Sequence, residues 1–237
     1  LAKKAEKVLI CFEEARALLG GGDNIFMTGS PVRTEIVFAD RAAARKKLGL
    51  TDNDRMVVSF WGSMGAKYMN EHMADMLALE AGQRTAFRHV HATGSAAFET
   101  VKAMVAEKGV DLARHPNLRL TDYIYDMADQ MAAADLVICR AGAATIGELC
   151  ALGRASIMVP SPYVAENHQE KNARALEKAG ACQVLLEKES SGAKLLGMTA
   201  ALLADDAGRA EMAACAARLA TLDAGEKIYQ HILEAIG

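Results

Sequence analysis

The chain has 237 residues, 51% of them hydrophobic and 24% charged, enough for a sizeable core in one large domain or two small ones. A net charge of −3 and a pI near 6.1 leave no electrostatic footprint for nucleic acid, and 5% aromatic content argues against base-stacking platforms. Five dispersed cysteines (Cys11, Cys139, Cys150, Cys182, Cys215) without CxxC spacing read as reduced cytosolic thiols, most of them filling the core. No apolar run reaches membrane-spanning length and no signal peptide is evident. The start Leu-Ala-Lys-Lys, without an initiator methionine, reads as that of a fragment.

In chain order, residues 2–19 hold one strand-like segment (8–12) and one helix-like segment, closed by Gly20-Gly21-Gly22-Asp23-Asn24. Residues 28–33, Thr-Gly-Ser-Pro-Val-Arg, read as a linker into the main domain. Residues 57–61 form a short apolar strand that ends in a glycine turn at 62–65, and a helical pattern covers 66–79. The rhythm repeats: strand 87–92 and helix 96–108, strand 118–121, strand 136–140 and helix 145–152. Strand 155–159 precedes helix 169–178, and strand 182–186 precedes Ala-rich helices. Strands alternating with helices imply parallel βαβ units in a doubly wound α/β sheet, with ligands at the carboxyl ends of the strands.

Three strand ends could carry chemistry. In Trp61-Gly62-Ser63-Met64-Gly65-Ala66, glycines let backbone N–H groups approach an anion at a helix start, and Ser63 adds a hydroxyl. The turn lacks the Gly-Lys-Ser/Thr of a P-loop and the third glycine of a dinucleotide fingerprint, so an ordinary ligand-free βα turn accounts for it equally well. In residues 139–148, small side chains expose amides suited to a diphosphate, and Glu148 stands where it could hold a ribose diol. Thr145-x-x-Glu148 also matches a capping box, which needs no ligand. His168, Gln169 and Asn172 share one helical turn and could read sugar hydroxyls, or simply face solvent.

Elsewhere the signals are structural. His89 and His91 alternate with Val90 on a strand and could share a face, but no metal-site spacing accompanies them. Met69, Met73 and Met76 have the helical spacing of core residues, and no nucleophile elbow occurs. Arg33, after Pro31, could pair with phosphate or sit on the surface.

Together, in this order, the segments resemble the MurG family of UDP-N-acetylglucosamine-dependent transferases. The resemblance rests on Thr28-Gly29-Ser30-Pro31-Val32-Arg33, Gly62-Ser63-Met64-Gly65-Ala66, Tyr123-Ile124-Tyr125-Asp126-Met127 and residues 134–149. It continues through His168-Gln169-x-x-Asn172-Ala173 and Ala179-Gly180-Ala181, and so covers essentially the whole chain. Ser30 stands where the family has Asn, and Trp61 where a first Gly is usual.

The resemblance implies a GT-B glycosyltransferase fold, two Rossmann-like lobes across a cleft, with this chain as the C-terminal, donor-binding lobe. Residues 1–33 would be a remnant of the N-terminal lobe plus linker, 34–224 the UDP-sugar-binding domain, and 225–237 a helix packing toward the mostly absent N-terminal lobe. Arg33 and Ser63 would contact the diphosphate, and Ile124 would present backbone groups to uracil. Ala143, Ala144, Thr145, Ile146 and Gly147 would line the phosphate-facing helix start, and Glu148 would hold the ribose. Gln169 and Asn172 would read the N-acetylglucosamine hydroxyls, with His168 beside them.

The implied reaction is inverting transfer of N-acetylglucosamine from UDP to lipid I, giving lipid II for peptidoglycan. The implied acceptor site lies in the missing lobe, and the implied location is peripheral, at the cytoplasmic face of the bacterial membrane. No metal, no other cofactor and no nucleic-acid partner is expected, and no general base is assigned to this chain. A UDP-N-acetylglucosamine epimerase, or a UDP-sugar-binding fragment without turnover, is the alternative.

Overall fold

The computed structural model describes residues 2–62 and 65–236. A small first unit contains β1 (Val8–Ile10), α1 (Glu14–Leu18) and β2 (Ile25–Met27), its two strands parallel with Val8 opposite Ile25. The short helices α2 (Thr34–Val37) and α3 (Arg41–Lys47) follow, the second capped by Asp40, which accepts from the Ala43 N–H at 2.7 Å.

The main body then alternates regularly. β3 (Arg55–Phe60) and α4 (Lys67–Gln83) are followed by β4 (Phe87–Ala92), α5 (Phe98–Glu107) and β5 (Leu118–Thr121). Next come α6 (Met127–Ala133), β6 (Leu136–Cys139), α7 (Ala143–Leu152), β7 (Ser156–Met158), α8 (His168–Lys178) and β8 (Gln183–Val184). The chain closes through α9 (Gly192–Ala204), α10 (Asp206–Arg218) and α11 (Ala224–Ile236).

The six strands from β3 to β8 form one parallel sheet in the order β5-β4-β3-β6-β7-β8. Strand order grows outward from β3 in both directions, so the direction of winding reverses between β3 and β6. Open sheets of this kind bind ligands at that reversal, outside the carboxyl ends of the strands. Both faces of the sheet are covered, as an all-parallel sheet requires. Met56, Val58 and Phe60 point into the core shared with α6, α7 and α8, while Val57 and Trp61 point into the core with α4, α5 and α9. Met69, Met73, Met76 and Leu77 of α4 are fully buried there, each such side chain contributing roughly 1.5–3 kcal/mol.

Charge also ties α3 to the sheet. Asp135 accepts from the Met56 N–H at 2.8 Å and pairs with Arg41 at 2.7 Å and Arg45 at 3.4 Å. At the chain's two ends, Lys7 pairs with Glu234 of α11, and Phe26 packs on His231 with ring centroids 4.3 Å apart.

The alternation expected from sequence is present, with shifted edges. β7 and β8 are shorter than the apolar runs 155–159 and 182–186, and β2, α2, α3 and α6 had no counterpart in the expected elements. Helix α7 begins two residues earlier than expected, at Ala143.

Candidate functional site

Two turns flank the reversal of the sheet. After β3, Gly62 and Gly65 both take positive φ (84° and 70°), and the Gly65 N–H donates to the Gly62 carbonyl at 3.1 Å. A Cβ on Gly65 would sit 2.1 Å from the Thr93 carbonyl oxygen, so only glycine fits. Ser63, expected to touch a diphosphate, lies outside the described residues.

After β6, Arg140-Ala141-Gly142 turns directly into α7. Gly142 is the N-cap residue and no side chain caps the helix, which leaves the amides of Ala143, Ala144 and Thr145 as first-turn donors. The capping-box reading of Thr145 and Glu148 is thereby corrected. Because the helix starts at Ala143, Thr145 already lies inside the first turn. Ala144 is exposed, so this positive helix end opens to solvent.

Glu148, one turn further on, is engaged by a side chain 115 positions away: Arg33 Nε donates to its Oε1 at 2.7 Å. Glu148 is mostly buried and Arg33 about half exposed, with Glu35 a second, weaker partner at 3.6 Å. The Glu148 hydrogen bond is the largest influence on Arg33 and raises its pKa above the ordinary arginine value. Tyr123 lies near the same guanidinium, which brings the β5–α6 loop to this corner. Ile124, next to it, is buried in the core with Ile36 and Ile146.

On the other side of the turn lies a cavity of about 660 Å³, lined among others by Trp61, Gly65, Lys67, Arg140, Ser161 and Gln169. The Gln169 carboxamide oxygen accepts from the Ser161 N–H at 2.9 Å, and Asn172 Nδ2 donates to the Ala141 carbonyl at 3.4 Å. Both α8 residues therefore brace the loops around the cavity. His168 is exposed and bonded to its own turn at Ala165. Ile146 and Gly147 face elsewhere, lining a separate cavity of about 300 Å³ against Cys11 and Phe12 of the first unit.

Sequence reasoning missed Arg140. Its guanidinium donates to the Val159 carbonyl at 3.0 Å, pairs with the buried Glu187 and lies 5.8 Å over the Trp61 ring. The only local signal was a lone cation at the end of an apolar strand. Among the described residues no cluster of His, Cys, Asp and Glu could hold a metal ion, and no helix is long and apolar enough to cross a membrane. Burial raises the Cys150 thiol to about 11 and Cys182 to about 12, so neither is a nucleophile at neutral pH.

The parallel sheet, its winding reversal and the order of its crossover helices are those of a lobe of the GT-B type. The glycosyltransferase family 28 C-terminal domain matches residues 56–228, and the chain belongs to that family. It is 40% identical over 232 residues to a UDP-N-acetylglucosamine–N-acetylmuramyl-(pentapeptide) pyrophosphoryl-undecaprenol N-acetylglucosamine transferase of Acetivibrio thermocellus. That match covers 98% of this chain and 61% of the relative, so the chain spans about three-fifths of its relative's length. The crystal structure of Acinetobacter baumannii MurG superposes with a TM-score of 0.69 at 24% identity, over 97% of this chain and 65% of that one. A UDP-GlcNAc 2-epimerase from Neisseria meningitidis shares the fold, with a TM-score of 0.62 at 12% identity, over 98% of this chain and 62% of that one.

Proposed function

We propose that this chain is the donor-binding part of an inverting N-acetylglucosaminyltransferase that moves N-acetylglucosamine from UDP to lipid I, forming lipid II. The observation that carries the reading is the Arg33–Glu148 pair beside the uncapped start of α7 at the sheet reversal. A carboxylate and a guanidinium held together there match the two halves of a nucleoside diphosphate. Glu148 takes the ribose diol, and Arg33 turns to the diphosphate, joined by the amides of Ala143, Ala144 and Thr145. Uracil lies against the backbone at Ile124, and the sugar occupies the cavity braced by Gln169 and Asn172.

Chemically, this part of the protein stabilises the leaving group. As the glycosidic bond breaks, negative charge grows on the diphosphate, and fixed amides and a cation aimed there lower the barrier. Deprotonation of the acceptor hydroxyl and the acceptor contacts belong to the stretch of the relatives that this chain does not match. Contact with the membrane is peripheral, at its cytoplasmic face. The epimerase reading has only a shared fold behind it, whereas the relatives named as transferases are similar in sequence along nearly the whole chain.

Calorimetric titration tests this reading. UDP and UDP-N-acetylglucosamine should bind, with the same affinity in EDTA, and ADP should bind far more weakly. Binding lost on chelation, or equal affinity for ADP, would remove the basis for the assignment. In the same titration, Glu148→Gln should lower UDP affinity by roughly 1.5–3 kcal/mol, the worth of a hydrogen bond to a charged group. Its melting temperature should barely move, since Arg33 is half exposed and the pair adds little stability. A destabilised variant that binds UDP normally would reduce Glu148 to a structural role.

A further inference from the structure

Behind the glycine turn, between α4 and the sheet, runs an unbroken line of buried polar side chains. Glu80, His89, Ser59, His91 and Thr93 are fully buried, and Asn70 is 2% exposed. None of them lines the cavity at the sheet reversal. His89 Nδ1 lies 2.8 Å from Glu80 Oε1, and His89 Nε2 lies 2.8 Å from Ser59 Oγ. Ser59 Oγ is also 2.8 Å from His91 Nδ1, and His91 Nε2 is 3.3 Å from Asn70 Oδ1. Asn70 Nδ2 finally donates to the Thr93 carbonyl at 2.9 Å, the oxygen against which Gly65 is seated.

The Thr93 carbonyl orders the donors and acceptors from one end of this line, in which His91 Nδ1 also lies 3.2 Å from the Ser59 carbonyl. Thr93 offers a carbonyl, so the Asn70 amide must present its NH₂ there and its oxygen to His91. His91 Nε2 therefore carries a proton. Burial, and after it the neighbouring His89, hold the His91 imidazole down at about 3, so the ring is neutral and Nδ1 is bare. Ser59 spends its hydroxyl proton on that nitrogen, and His89 Nε2–H must then donate to Ser59 Oγ. The contact between His89 Nδ1 and Glu80 Oε1 closes the line at its far end. Each member fixes the orientation of the next, from the end of α4 to its start.

We propose that Asn70, with its orientation set through His91 and Ser59, is a positioning residue for the glycine turn, holding Thr93 so that Gly65, its N–H closed onto the Gly62 carbonyl, keeps the turn in place beside the donor diphosphate. The inference rests on the donor site described above. An apolar contact could fill the same volume, but only a directed amide holds a carbonyl at one height. The line of buried groups thus fixes the turn from behind while contributing no atom to the cavity.

The experiment compares three variants of this chain by UDP titration, melting temperature and amide hydrogen exchange at Gly65. Asn70→Ala should weaken UDP binding tenfold or more and speed Gly65 exchange at least tenfold. Ser59→Ala, which touches no part of the turn and removes one hydroxyl, should shift both in the same direction by threefold or more. Met73→Ala, on the same buried face of α4, should lower the melting temperature at least as much as Ser59→Ala. Its UDP affinity and Gly65 exchange should stay within twofold of the parent. Parent-like affinity and exchange in Ser59→Ala and in folded Asn70→Ala would overturn the proposal, as would equal losses in Met73→Ala. If Asn70→Ala does not fold, Ser59→Ala and Met73→Ala decide the matter alone. If the parent chain itself fails to bind UDP, the donor-site reading is what fails, and Gly65 exchange still judges the positioning role.

Discussion

Gly65→Ala is expected to lower UDP affinity at least a hundredfold, the largest single loss foreseen for any one-residue change in this chain. Two costs coincide at this position. At φ +70° an L side chain pays about 1–2 kcal/mol. The new methyl would also lie 2.1 Å from the Thr93 carbonyl oxygen, a backbone atom that has no rotamer to escape into. Thr93 is itself held, since its N–H donates to the Thr121 carbonyl at 3.0 Å and its carbonyl accepts from Asn70. The turn must therefore move instead, out of its place beside the proposed donor site. A hundredfold loss is about 2.7 kcal/mol, which the two costs together exceed. Calorimetry gives the affinity and circular dichroism shows whether the sheet persists. A folded Gly65→Ala protein with parent-like UDP binding would mean that the turn takes no part in binding.

The second large effect concerns acid. His91 is neutral in the folded protein, its pKa depressed to about 3 from an ordinary 6.5, by burial first and by His89 second. The unfolded chain takes up the proton near 6.5 and the folded chain does not. This contribution to stability is therefore complete above pH 6.5 and drains away as pH falls from 6.5 toward 3. The slope is about 1.4 kcal/mol per pH unit, so roughly 3 kcal/mol is lost by about pH 4.5.

The groups facing His91 are Ser59 on β3, Asn70 on α4, His89 on its own strand and Trp61 at 6.2 Å. Glu80 reaches it only through His89. Among the described residues no carboxylate is hydrogen-bonded to His91 to stabilise an imidazolium. Urea unfolding at about pH 7.5 and 4.5 should show a loss about 3 kcal/mol larger in the parent than in His91→Gln, in which this linkage is gone. Equal losses in both would show that His91 is already charged or solvated in the folded chain.

Much of the fold was visible in the sequence because parallel strands buried on both faces are short apolar runs, and these alternate with helical periods. β4 and β5 fall where their runs predict. What escaped notice lacks that signal. β2 has three residues and α2 four, α6 is a single short helix, and α3, Arg-Ala-Ala-Ala-Arg-Lys-Lys, has no apolar stripe. It is helical because Asp40 caps it and Asp135 holds its arginines.

The candidate site was legible only in part, for the same physical reason. Strand-end turns can be read locally, so the glycine turn and the small-residue turn before α7 could be located. A contact between residues 33 and 148 depends on how the chain returns over the sheet. The Thr145-x-x-Glu148 spacing suggested a cap, but the helix had already begun at Ala143, which left Glu148 free for Arg33. Period-two spacing placed His89 and His91 on one face. That Ser59 lies opposite His91 is a matter of sheet register, and that Glu80 reaches His89 depends on the docking of α4.

The central claim is that a UDP-sugar lies across the sheet reversal, and a crystal structure of this chain with UDP-N-acetylglucosamine tests it most directly. The account predicts the diphosphate between Gly65 and the first turn of α7, with Glu148 released from Arg33 and bonded to the ribose hydroxyls. The sugar should lie in the cavity lined by Gln169 and Arg140. Nucleotide density instead in the smaller cavity beside Cys11 and Ile146, with the Arg33–Glu148 pair intact, would contradict it.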